Sequence, residues 1–203
     1  SYNNDTLEDF AGMFRYSKLI EDINNADTSI LSNITTVRMY KYFTPTLNSG
    51  IKYTLSYNNA LYNPHSGHNS SGGGVISSSG FKVNNDSSLN EHFLDDDGAG
   101  NLRLYYLSGT TRVYTDTTYG TVNYTTGEVV LTSAHITSIS NVDGATSTQV
   151  RVFATPSSND VVPVRNQVLS IDTSNSTITG EVDGIESGSS QAGTTYTTTS
   201  SYS

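Results

Sequence analysis

Cysteine is absent from the 203 residues, which excludes a disulfide framework and a thiolate metal site and leaves nothing pointing to an oxidising compartment. Tryptophan is absent as well, so the aromatic side chain most suited to a sugar-stacking platform is missing. No apolar run reaches 18 residues, so the sequence carries no helical membrane span. No basic stretch followed by an apolar one opens the chain, so no signal peptide is visible; a start at Ser1 without Met reads as a processed or excised piece of something longer. Positive charge is scarce. Lys plus Arg total 10 against 19 acids, a net charge of −9, and beyond Lys82 the only cations are Arg103, Arg112, Arg151 and Arg165. A nucleic-acid backbone or an anionic membrane surface demands a dense cationic face, so neither is an expected partner.

What the chain has in quantity is hydroxyl and amide. Ser and Thr supply 58 residues, Asn 19 and Tyr 14, a composition suited to strands, turns and exposed sheet faces. With charged residues at 14% and hydrophobic ones at 34%, much of the surface must be covered by hydroxyls, amides and Tyr. A mass of 21.8 kDa fits one large domain or two small ones, enough to bury a real core.

The pattern predicts an α+β, mostly β protein. Residues 5–26 read as helical: Thr6 with Asp9 resembles a capping box, Leu7, Phe10, Ala11 and Phe14 recur at helical spacing, and Ser17 restarts a second helix with Leu19, Ile20 and Ile23. Residues 34–43 read as a strand ended by Pro45. Ile51, Tyr53, Leu55 and Tyr57 alternate with Lys52, Thr54 and Ser56, giving a second strand expected to pair with the first beneath the helix. Val75-Ile76 and Phe81-Lys82-Val83 read as short edge strands between Asn/Ser/Gly-rich loops. From His92 a run of short strands follows, at 91–95, 101–107, 111–116, 120–124, 128–133, 135–140 and 148–154, with two more over 161–172 and 176–182, as in an antiparallel sheet, sandwich or barrel. The expected division is a helix-plus-hairpin domain over 1–90, an antiparallel β domain over 91–186, and a Ser/Thr/Tyr-rich tail over 187–203 that is either disordered or a strand for another chain.

Catalytic signatures are thin. Asp95-Asp96-Asp97-Gly98-Ala99-Gly100-Asn101 looks like a calcium loop, but Ala99 and Tyr106 stand where oxygen ligands belong, so a hairpin turn with left-handed glycines is the better reading. His65 and His68 have metal-compatible spacing, yet two loop histidines fall short of a transition-metal site, and His92 and His135 are distant. Gly72-Gly73-Gly74 lacks the strand before it and the Lys-Ser/Thr after it that a phosphate cradle requires. No Gly-x-Ser-x-Gly elbow is present and no acid stands out for glycoside hydrolysis. The triplets Asn33-Ile34-Thr35 and Asn123-Tyr124-Thr125 read as unmodified. The expectation is therefore a protein that is not an enzyme, with no catalytic, cofactor-binding or metal-ligating residues and no cofactor.

Three stretches carry a resemblance. They are Tyr16-Ser17-Lys18-Leu19-Ile20 continuing through Asp27 to Arg38, Tyr119-Gly120-Thr121-Val122-Asn123-Tyr124-Thr125-Thr126-Gly127-Glu128-Val129-Val130-Leu131, and Val161-Val162-Pro163-Val164-Arg165-Asn166-Gln167-Val168-Leu169-Ser170-Ile171-Asp172. Together they resemble the C-terminal part of the large dimerising baseplate wedge subunit of T-even-type contractile-tailed phages, related to J-type baseplate proteins. The Thr194–Tyr202 run is similar to versions from marine phages. The resemblance implies a structural subunit of the virion tail, assembled in the host cytoplasm. It implies homodimers, contacts with other baseplate proteins, wedges linked into a ring, and no catalytic residue. A helix face over 7–23 and the tail would supply the contact area, since an interface needs about 800 Å² per partner. The rival reading is a receptor- or glycan-binding tail-fibre or adhesin domain with a concave Tyr/Asn-lined site, calcium-assisted through Asp95–Asp97.

Overall fold

A computed structural model describes residues 7, 12–68, 70–72, 74–142, 144–163 and 168–180. Its elements are α1 (Tyr16–Asn24), β1 (Met39–Phe43), β2 (Gly50–Ser56), β3 (Ile76–Ser78), β4 (Phe81–Val83), β5 (His92–Asp96), β6 (Asn101–Ser108), β7 (Thr111–Asn123), β8 (Glu128–Ile139) and β9 (Val150–Ala154). The chain forms two compact units, Ser1–Ser170 and Ile171–Ser203. The described part of the second holds one 3-10 turn, Thr173–Asn175, whose first N–H groups are capped by the Asp172 carboxylate.

The first unit is mostly β, with antiparallel sheets and one helix at its N-terminal side. Three strands lie in the order β1-β9-β3 and six in the order β2-β8-β4-β5-β6-β7. An additional pairing of β7 with β8 closes β8-β4-β5-β6-β7 into a small barrel. Closure removes most of the exposed strand edges of such a sheet. One apolar core runs through both sheets, from Leu55, Phe81, Leu94, Leu102 and Leu131 to Val150, Val152 and Ala154. The buried Tyr57 hydroxyl ties them polar-wise, donating to the Val152 carbonyl at 2.6 Å. Burial pushes that phenol well above its ordinary range.

Two glycines are required by close approach. At Gly120 a Cβ would strike the Val130 carbonyl of β8, where the barrel closes. Gly98, at φ 71°, sits against the His68 backbone, which a Cβ would also strike.

The expected pairing of β1 with β2 is overturned. β1 pairs with β9, Met39 opposite Ala154, and β2 pairs with β8, Ser56 opposite Glu128. Strands on either side of residue 90 are hydrogen-bonded to one another, β1 with β9 and both β2 and β4 with β8. β4 lies between β8 and β5 rather than at an edge, whereas β3 is an edge of its sheet. Among its described residues the strand expected over 161–172 contributes only a bridge between Val161 and Phe14, and no strand occurs in the described residues of 168–180. Helix α1 begins at Tyr16; the first helix expected before it is overturned over residues 12–15, which are not helical because Phe14 bridges Val161 through the backbone, while the rest of it, apart from the buried Leu7, lies outside the described residues, as does the 187–203 tail.

Candidate interaction surface

The least covered apolar part of the described chain is Tyr16 to Phe43. Helix α1 starts after Arg15, whose own side chain makes no cap, while the Asp160 carboxylate accepts from the Tyr16 N–H at 2.8 Å; the helix holds no buried residue, and Leu19, Ile20 and Ile23 are half-buried. Asn25 onward is irregular because Asp27 turns the chain, its carboxylate accepting from the Ser29 N–H at 2.8 Å. That hydrogen bond holds the Asp27 carboxyl below its ordinary value. The following segment runs over the surface with Leu31 78% and Ile34 101% exposed. It is tied to the helix by the Tyr16 hydroxyl donating to the Thr35 carbonyl at 3.0 Å and by the Asn33 amide donating to Asn24 Oδ1 at 2.6 Å.

The same segment enters β1, whose alternation turns Met39 and Phe43 toward the core and Tyr40 and Tyr42 outward. On the outer face Tyr40 lies beside Phe153, ring centroids 5.8 Å apart. Arg38 sits over the Phe153 ring at 5.5 Å and donates to Ser77 Oγ at 2.6 Å. Tyr42 is 57% exposed. Tyr and Arg on a preformed sheet face are the side chains that dominate protein interfaces, because they bring large area at little rotamer cost.

The three aspartates of the calcium-like loop have separate duties. Asp95 is buried and accepts from Arg103 Nε at 2.8 Å, Arg112 Nη1 at 2.6 Å and the Tyr114 hydroxyl at 2.8 Å. Asp96, also buried, accepts from the Ile76 N–H at 2.7 Å and the Tyr124 hydroxyl at 2.6 Å. Burial and then the Asp96 charge push the Tyr124 phenol well above its ordinary range. Asp97 caps the turn, accepting from the Ala99 and Asn101 N–H groups and from the Asn101 amide. The three carboxylates are aimed into the fold's own hydrogen bonds rather than at one point.

The histidines divide in the same way. His92 is fully buried in β5, with Nδ1 3.1 Å from the Asn90 carbonyl and Asp86 Oδ2 4.0 Å from Nε2. His135 is half-buried on β8, while His65 and His68 share the loop before β3. An open groove of about 550 Å³ is lined by Asn63, Asn123 and Tyr124 among others.

The contact area expected from the sequence was the helix face over 7–23 and the tail; the structure adds the exposed Leu31, Ile34, Tyr40 and Tyr42 as candidates, the last two foreshadowed by the 34–43 alternation.

Residues 1–42 match the family profile of the baseplate structural protein gp6, C-terminal domain III. No curated protein matches the chain by sequence. Among solved structures, the tailspike protein of Acinetobacter phage vB_ApiP_P1 is similar at 11% identity over 66% of this chain and 24% of its own, with a TM-score of 0.24. The chain spans about a quarter of that tailspike's length, and a score of that size carries no common fold.

Proposed function

We propose that this chain is a structural subunit of a phage tail baseplate, located in the virion. It homodimerises, touches other baseplate proteins, links wedges into a ring and carries no reacting centre. The observation that carries the reading is a coincidence of position. The gp6-domain match ends at residue 42, and the segment richest in uncovered apolar and aromatic side chains runs from α1 into β1. A chain whose family likeness and whose exposed contact area fall on one segment is built to be covered by a neighbour. Light scattering coupled to size exclusion tests it: at tens of micromolar the chain should run at about twice 21.8 kDa. A strict monomer across that range refutes the dimer.

One observation favours the glycan-binding alternative: the groove beside Asn63, Asn123 and Tyr124 is the concave Asn/Tyr-lined surface that reading calls for. Asn123 Oδ1 already accepts from the Thr125 and Thr126 N–H groups, so only its amide donors remain for a sugar. A rise in melting temperature with a mono- or oligosaccharide, lost in Asn123→Ala, would establish it.

A further inference from the structure

We propose that His65 and His68 form a two-imidazole chelate for a borderline divalent transition-metal ion of the zinc class, with the remaining coordination positions open. Sequence spacing alone does not argue for this; the distances do. His68 Nδ1 lies 3.4 Å from His65 Nε2. That is a long contact for a hydrogen bond, N–H···O bonds lying at about 2.7–3.2 Å. It equals the edge of a tetrahedron: two nitrogens each about 2.0–2.1 Å from a central zinc are about 3.3–3.4 Å apart. The ring centroids are 5.1 Å apart with the planes at 84°. Rings that each point one nitrogen at a shared tetrahedral zinc have centroids about 5 Å apart, so a second distance agrees.

The surroundings prepare the His65 ring and pack the His68 ring, whose Nδ1 would release its proton on binding, the metal taking that place. His65 Nδ1 is 3.2 Å from the Ser66 carbonyl, a partner that can only accept, so the proton belongs on Nδ1 and the lone pair on Nε2, the atom facing His68. A ligating imidazole is oriented in this way, by a backbone carbonyl on its far nitrogen. His68 is packed edge-on against the Tyr62 ring, centroids 5.3 Å apart. The loop between the histidines is held by its own hydrogen bond, His68 N–H to the His65 carbonyl at 3.2 Å, and by Gly67 N–H donating to the Gly98 carbonyl at 3.0 Å. Gly98 leaves room for that loop because it has no Cβ. Both imidazoles belong to a short loop that the β5–β6 turn backs, so little ordering remains to oppose metal entry. The Asp95–Asp97 carboxylates do not take part; each is engaged elsewhere.

The test is a titration of the untagged, chelator-treated 203-residue chain with zinc by calorimetry and with cobalt by visible absorbance, at pH 7.5. The expected result is saturable binding of one ion per chain and the intense visible bands of four-coordinate cobalt. His65→Ala and His68→Ala should each weaken binding at least about tenfold, the lower bound for disturbing even an outer-sphere partner of a metal site. His135→Gln should leave it unchanged. Both loop variants should keep the wild-type melting temperature without metal, so loss of binding is separable from loss of fold. Absence of saturable binding, or binding that survives both loop variants unchanged, overturns the proposal.

Discussion

At the scale of single residues, Asp95 shows how much this fold invests in one buried charge. Its two oxygens are shared among Arg103, Arg112 and the Tyr114 hydroxyl, and Arg103 also donates to the Ser70 and Asp96 carbonyls. Arg103 and Arg112 further stack on Tyr114 and Tyr105, at 4.3 and 4.7 Å. Removing one cation leaves the carboxylate buried without full compensation, so Arg103→Ala should cost about 3–5 kcal/mol in urea unfolding. Tyr114→Phe removes one hydroxyl donor to that carboxylate and should cost about 1.5–3 kcal/mol. Asp97 gives a pH prediction. Burial works to raise its carboxyl, but the hydrogen bonds from Asn101 and Ala99 outweigh it and hold the group below its ordinary 3.8. A depressed carboxyl contributes stability above 3.8 that is lost as pH falls below it, toward its own lower value. The stability gap between wild type and Asp97→Asn should therefore be widest near neutrality and narrow below pH 3.8, read by denaturant unfolding at stepped pH. A gap constant with pH would place Asp97's contribution in the turn geometry alone.

At the scale of elements, what was legible was local alternation, and what was not was long-range pairing. The odd-numbered face of β2 was readable because Ile51, Tyr53, Leu55 and Tyr57 keep strict period two. The expected break near residue 134 has a physical source. β8 is one strand, but between Leu131 and Ala134 two of its residues, Thr132 and Ser133, face one of β2, Lys52, and this bulge moves burial from Val129 and Leu131 to Ala134 and Ile136. The expected break near 117 is similar: Asp116 bonds the Thr118 N–H at 2.7 Å and bends β7 without ending it. No local pattern states that β1 must seek β9 more than a hundred residues away, since two strands joined by a turn usually pair. Nor does a three-residue run such as Phe81–Val83 announce that it is an inner strand of a barrel, between β8 and β5. Its importance shows in burial: Phe81 is fully enclosed between β5 and β8. Phe81→Ala should cost about 3–5 kcal/mol, measured by the same unfolding assay, an outcome that a true edge strand would not give. Of the candidate surface, the α1 face was legible from its spacing; Leu31 and Ile34 were not, because an exposed irregular segment has no period to read, and Tyr40 and Tyr42 alternated visibly but in a strand whose partner, β9, no local pattern named.

At the scale of the whole molecule the question is what the uncovered strip contributes to assembly. Leu31 and Ile34 stand out in solvent, so replacing both with Asp should leave unfolding stability within about 0.5 kcal/mol, as surface substitutions do. The effect on association should be far larger. Each fully buried aliphatic side chain is worth about 1.5–3 kcal/mol, and a two-fold contact counts every substitution twice. In the proposed dimer, two residues on two copies would therefore weaken association by several factors of ten, at about 1.4 kcal/mol for each. Introduced carboxylates add repulsion between chains that already carry −9 each, a term that added salt screens. Sedimentation of Leu31→Asp/Ile34→Asp should thus show monomer at concentrations where the parent dimerises, with partial recovery at high salt and an unchanged melting curve. A double variant that still dimerises like the parent would move the interface off this strip, leaving the outer Tyr40–Tyr42 face or another surface to carry it.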